Sequence, residues 1–99
     1  MPTRSRKPVP GRPRGSVTFD ASAAAAFGTV VRDARARAEL SQEELAHQCG
    51  LDRSYFSKLE RGLSQPTLSA IFKIAGALGY APGTLIGMAY RNMKAAALV

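Results

Sequence analysis

The chain has 99 residues, a formal net charge of +7 and 45% hydrophobic residues, enough for one modest core under a surface that suits polyanions. Alanine and leucine carry the apolar content and tryptophan is absent, which favours helix over sheet. No apolar run approaches the ~18–20 residues that span a bilayer, the basic start lacks the apolar stretch of a secretory signal, and the single cysteine forms no internal disulfide.

In chain order, residues 1–18 come first, with Arg4, Arg6, Lys7, Arg12 and Arg14, four of the six prolines and no acid. Such a stretch cannot bury a core, and its prolines oppose helix, so a disordered basic arm is expected there. Its Gly11-Arg12-Pro13 core resembles an AT-hook in part, with Pro10 where arginine is expected. Tracking of the DNA backbone is the preferred role for these cations, and insertion into the minor groove the alternative. An inert tail is the bland explanation.

Helix 1 is expected from a cap at Asp20 or Ser22 to about Glu39, with Phe27, Val30, Ala34 and Ala38 as its apolar stripe. Ser41, followed three residues on by Glu44, forms a capping box that opens helix 2, which ends at Gly50. Helix 3 runs from Asp52 to Gly62. Pro66-Thr67 starts helix 4, where Leu68, Ile71, Phe72, Ala75 and Leu78 mark the expected buried face before Gly79. Pro82 suits the first turn of helix 5, in which Leu85, Ile86 and Ala89 are apolar. The fold class that follows is all-α, a compact five-helix domain over residues 19–89, with 90–99 as a tail able to extend the last helix.

Helix 3 divides by side. Arg53, Ser54, Ser57, Lys58 and Arg61 fall within an arc of roughly 140° at 100° per residue, while Tyr55, Phe56 and Leu59 lie opposite. Leu45, Ala46 and Cys49 of helix 2 join the same core. A rod with one anchored side and one side of donors is what the major groove accepts. Arginine and lysine reach guanine acceptors, and serine bonds several base edges with less discrimination. Gln42, at the start of helix 2, is placed to bond a phosphate. The bland alternative is that any surface helix turns its charges outward.

Rival chemistry finds little support. His47 and Cys49 are two apart on a helix and cannot face each other, and adjacent Glu43 and Glu44 diverge. One histidine and one cysteine make no metal cage, no phosphate loop is present, and no cofactor or enzymatic activity is expected.

The residues Leu40-Ser41-Gln42-Glu43-Glu44-Leu45-Ala46, Gly50-Leu51, Ser54 to Gly62 and Pro66-Thr67-Leu68 strongly resemble the phage repressor/Cro (XRE-type) helix-turn-helix family. The likeness extends through Ile74-Ala75-Gly76-Ala77-Leu78-Gly79 and covers about residues 23–88. The opening Leu51-Asp52-Arg53-Ser54-Tyr55 also looks like controller proteins of restriction–modification systems. The resemblance implies base reading by Arg53, Ser54, Ser57 and Lys58, and backbone contacts at Gln42, Arg61 and Ser64. It implies a structural ion pair of Arg35 with Glu60. It also implies a homodimer on paired half-sites of double-stranded DNA, associated with the nucleoid, and the lone cysteine and absent signal stretch fit a reducing cytoplasm. Leu85, Ile86, Met88, Tyr90 and Met93 are the expected dimer contact, although Leu85 and Ile86 can equally close the monomer core. An antitoxin-type module, holding a protein partner through arm or tail while binding its own operator, is the second hypothesis. A non-specific architectural DNA-binding protein is the third.

Overall fold

A computed structural model describes residues 19–97, so the arm cations Arg4, Arg6, Lys7, Arg12 and Arg14 lie outside the described residues. Five helices, with no strand among the described residues, follow in order: α1 (Ala21–Arg37), α2 (Gln42–Cys49), α3 (Arg53–Glu60), α4 (Leu68–Leu78) and α5 (Pro82–Ala97).

Their boundaries follow from cap chemistry. Asp20 Oδ1 accepts from the Ala23 amide at 3.1 Å and starts α1. Ser41 Oγ accepts from the Glu44 amide at 2.9 Å while Glu44 Oε1 accepts from the Ser41 amide at 2.7 Å, completing the capping box of α2. Thr67 Oγ1 accepts from the Ala70 amide at 3.0 Å at the start of α4. Between α2 and α3 the chain turns at Gly50, and the Leu51 amide bonds back to the Ala46 carbonyl at 2.9 Å.

The core gathers Phe27, Val31, Leu45, Phe56, Leu59, Ile74 and Leu85 from all five helices. α1 packs along α5 and against α3, and α2 lies between α3 and α4. Gly28, in the middle of α1, is where the backbone of α3 comes closest. A Cβ there would meet the Leu59 carbonyl oxygen and sit 2.7 Å from that of Glu60. Glycine in a helix interior costs about 1 kcal/mol against alanine, and here the close approach of α3 explains its presence. Gly62, after α3, has a φ of +74° and turns the chain across the first turns of α1, so that an added Cβ would lie 3.0 Å from Ala25 Cα.

Three sequence expectations are corrected. α1 stops at Arg37, and Ala38 is an exposed cap rather than the end of the buried stripe, because Glu39 takes a φ of 60° and reverses the chain. On α4 the buried positions are Ala70, Ile74 and Ala75, whereas Leu68 is 62% and Phe72 52% exposed. This helix is apolar nearly all round, so its pattern does not select a face. Burial instead falls on the row where small Ala70 and Ala75 permit close packing. On α5, Leu85 is fully buried and belongs to the monomer core, which removes it from the expected dimer contact. The helix continues to Ala97, so residues 90–97 are helical.

Candidate nucleic-acid interface

The outer side of α3 begins with its cap. Asp52 Oδ2 accepts from the Ser54 amide at 3.1 Å, the Tyr55 amide at 3.3 Å and the Ser54 hydroxyl at 2.6 Å. The Ser54 hydroxyl, then the Tyr55 amide, hold this carboxyl below the ordinary aspartate range. Asp52 is thus committed to the helix start, and Ser54 keeps only its acceptor lone pairs free for another partner.

Along α3, Phe56 and Leu59 are fully buried, Tyr55 is half-buried, and Arg53, Ser54 and Lys58 are exposed. Ser57 is half-buried, which restricts it to the edge of whatever the helix faces. Arg61 is exposed and Ser64 half-buried on the segment leading to α4. The other acid of this helix, Glu60, points inward. Its carboxylate is 3% exposed and accepts from Arg35 Nε at 2.6 Å and from Arg35 Nη2 at 3.0 Å. The bond to Glu60, strengthened by the ion-pair attraction and opposed by partial burial, raises the Arg35 guanidinium above its already high ordinary value. With Glu60 inside and Asp52 at the cap, where the Lys58 charge also acts on it, the outer face of α3 presents Arg53 and Lys58.

Gln42 sits at the first turn of α2, half-buried, and its Nε2 donates to Glu60 Oε1 at 2.8 Å. Arg35 Nη1 donates to the Leu40 carbonyl at 2.8 Å, just before the Ser41 cap. The end of α1, the start of α2 and the end of α3 therefore meet at one buried carboxylate. The loop after Gly62 returns to α1, where Gln65 Oε1 accepts from the Asp20 amide. Residue 19, from which the chain leads back into the basic stretch, is therefore held beside the loop that carries Ser64.

Several of these features were invisible in the sequence. Nothing local predicts that Gln42 is tethered to a residue 18 positions away, or that Gln65 meets Asp20. Gly28 did carry a signal, since a glycine within an alanine-rich helix asks for a packing reason. Cys49 is buried, and burial pushes its thiol up despite nearby Lys73, as befits a small core residue. The Tyr55 hydroxyl is buried with no hydrogen-bond partner among the described residues.

The expected dimer residues separate in space. Ile86 and Tyr90 are 44% and 56% exposed, Met88 and Met93 are half-buried, and Met88 packs against the core. Ile86, Tyr90 and Met93 line an apolar groove of about 310 Å³ with Phe27 and Ile71. Among the described residues no single helix is long and apolar enough to cross a membrane.

Comparison with known proteins agrees with this geometry. Residues 31–85 match the helix-turn-helix family model HTH_3. The control protein C.BamHI of Bacillus amyloliquefaciens is 44% identical over 61 residues, which is 61% of this chain and 75% of that protein. The crystal structure of the restriction–modification controller C.AhdI from Aeromonas hydrophila superposes with a TM-score of 0.61 at 44% identity, covering 63% of this chain and 94% of the controller. The clp gene regulator ClgR from Corynebacterium glutamicum superposes with a TM-score of 0.73 at 26% identity, covering 77% of this chain and 81% of ClgR.

Proposed function

The chain belongs to the helix-turn-helix family HTH_3, and from that premise we propose that it is a sequence-specific double-stranded DNA-binding transcriptional regulator that binds paired half-sites as a homodimer. One observation carries the reading. α3 is anchored by fully buried Phe56 and Leu59 while Arg53, Ser54 and Lys58 stand exposed on its other side, with Glu60 turned inward to Arg35. A rigid helix with that division fits the major groove, where each good bidentate contact contributes ~1–3 kcal/mol of discrimination. Arg53, Ser54 and Lys58 read base edges, with Ser57 at the margin. Gln42, Arg61 and Ser64 bond the backbone.

Affinity is supplied in part by Arg4, Arg6, Lys7, Arg12 and Arg14. The tie between Asp20 and Gln65 supports this, because it holds Asp20 beside the segment that carries Ser64. A lone recognition helix covers too few base pairs for operator specificity, so two copies with recognition helices ~34 Å apart are needed. Ile86, Tyr90 and Met93, together with the part-covered Met88, supply the contact between copies. Control of a restriction–modification operon is the favoured regulatory setting, supported by 44% identity to the controller C.AhdI and to the control protein C.BamHI.

Selection of sites from random DNA, by wild type and by Arg53→Ala, tests the reading. Wild type should enrich a two-fold site. The variant should lose preference at one position of each half-site, with a cost of ~1–3 kcal/mol. Enrichment of no sequence would sink the specific regulator in favour of an architectural role. Equal weakening on every sequence would make Arg53 a phosphate contact.

A further inference from the structure

The buried carboxylate at the junction of the first three helices is more than an ion-pair partner. Arg35 supplies two of its hydrogen bonds, at 2.6 and 3.0 Å, which leaves acceptor capacity on both oxygens. The third, at 2.8 Å, comes from the side chain of Gln42, a half-buried residue on the side of the molecule where α2 begins. We propose that Glu60 is a positioning residue for DNA binding, holding the Gln42 amide ready for a backbone phosphate. The proposal rests on the assignment of Gln42 to that phosphate.

The chemistry of the pair fixes more than distance. An ionised carboxylate only accepts hydrogen bonds, so the amide must turn its nitrogen, not its oxygen, toward Glu60. One N–H is then used and the second remains on the same nitrogen for an anionic oxygen. A glutamine free to rotate would present its carbonyl as often as its amino group, and would lose rotational freedom on binding. Here both the orientation and much of the ordering are settled before DNA arrives. Arg35 contributes at one remove. It pairs with Glu60 and, through its bond to the Leu40 carbonyl, holds the chain just ahead of the Ser41 cap. The groups around Glu60 are therefore Arg35 from α1 and Gln42 from α2, both donors.

Two measurements on the full chain test the proposal. The first needs no DNA. The Gln42 side-chain amide should be ordered and slow to exchange by NMR in wild type and mobile in Glu60→Gln. An amide already mobile in wild type overturns the positioning role. The second is a double-mutant cycle on a duplex carrying the site selected from random DNA. Gln42→Ala should weaken binding about tenfold, as expected for a hydrogen bond to a charged group, with the salt slope unchanged because glutamine releases no counterion. Glu60→Gln should cost a similar factor in the wild-type background and nothing further in the Gln42→Ala background. Losses that multiply instead would show that Glu60 acts by another route, and overturn the proposal. If Glu60→Gln does not fold at the assay temperature, Glu60→Asp carries the same cycle, since it remains charged toward Arg35 but is shorter by one methylene. Gln42→Ala without effect on binding, beside an ordered amide, removes the phosphate assignment and the positioning role with it. The regulator reading would survive that outcome, because site selection tests it separately.

Discussion

The α2–α3 half and the α4–α5 half of the domain solve opposite problems. In the first, apolar side chains are spent inward and the outer surface is left to Arg53, Ser54 and Lys58. The second keeps Leu68, Phe72, Ile86 and Tyr90 on the outside, although Ile74 and Leu85 already complete the core. Large exposed apolar side chains are unremarkable singly, but Ile86 and Tyr90 flank one apolar groove. One half thus turns charge outward, and the other turns apolar side chains outward. The join between them is rigid because α1 spans it, touching α3 at Gly28 and lying along α5.

The sharpest way to break this division is at the join. Gly28→Ala drives a methyl group into the carbonyls of Leu59 and Glu60, which have no side-chain freedom with which to yield. A loss of roughly 3 kcal/mol or more is expected in urea unfolding, and a well-folded variant would mean that α1 and α3 do not approach as closely as described. Next comes the contrast within α5. Leu85→Ala should cost about 2–5 kcal/mol of stability, whereas Ile86→Ala and Tyr90→Ala should stay within about 1 kcal/mol of wild type while lowering self-association in sedimentation. If Leu85→Ala left stability intact and dissociated a dimer, the two roles would have to be exchanged.

Smaller effects sharpen the picture around the motif. Glu39 holds a φ of 60° without being glycine, so Glu39→Gly should gain about 0.5–1 kcal/mol in thermal unfolding. A loss would show that its side chain makes a contact worth more than the strain. Asp52 supplies the pH-dependent case. Its folded-state pKa is lowered, first by the Ser54 hydroxyl and then by the Tyr55 amide, so its contribution is present above the unfolded-state value and is lost as pH falls through the folded one. Asp52→Ala should therefore lower the Tm at neutral pH, with the gap to wild type closing only below the ordinary aspartate range. A gap that closed between pH 5 and 7 would assign the effect to another group.

What proved legible in the sequence was local chemistry. Asp20, Ser41, Asp52 and Thr67 sit where caps belong, and Gly50, Gly62 and Gly79 sit where positive φ is needed, so five helices and every turn but the one at Glu39 could be placed from short-range rules. The sides of α3 were legible too, because polar and apolar residues alternate there with one unambiguous phase. α4 was legible only in part, with Ala75 buried as expected but Leu68 and Phe72 outside, for the converse reason. With apolar residues on every side, only the shapes of α2 and α5 determine which row is buried, and that row is Ala70 and Ile74 rather than Leu68 and Phe72.

The sequence by itself thus determined the helices, the turn geometry and the cationic face of α3, since each depends on interactions within a few residues. Tertiary structure alone decided which apolar residues remain outside, that Gly28 is a packing necessity, and that Gln42 is held by a carboxylate 18 residues away. Those outcomes depend on how helices distant in sequence meet, and no local pattern encodes the distance between them.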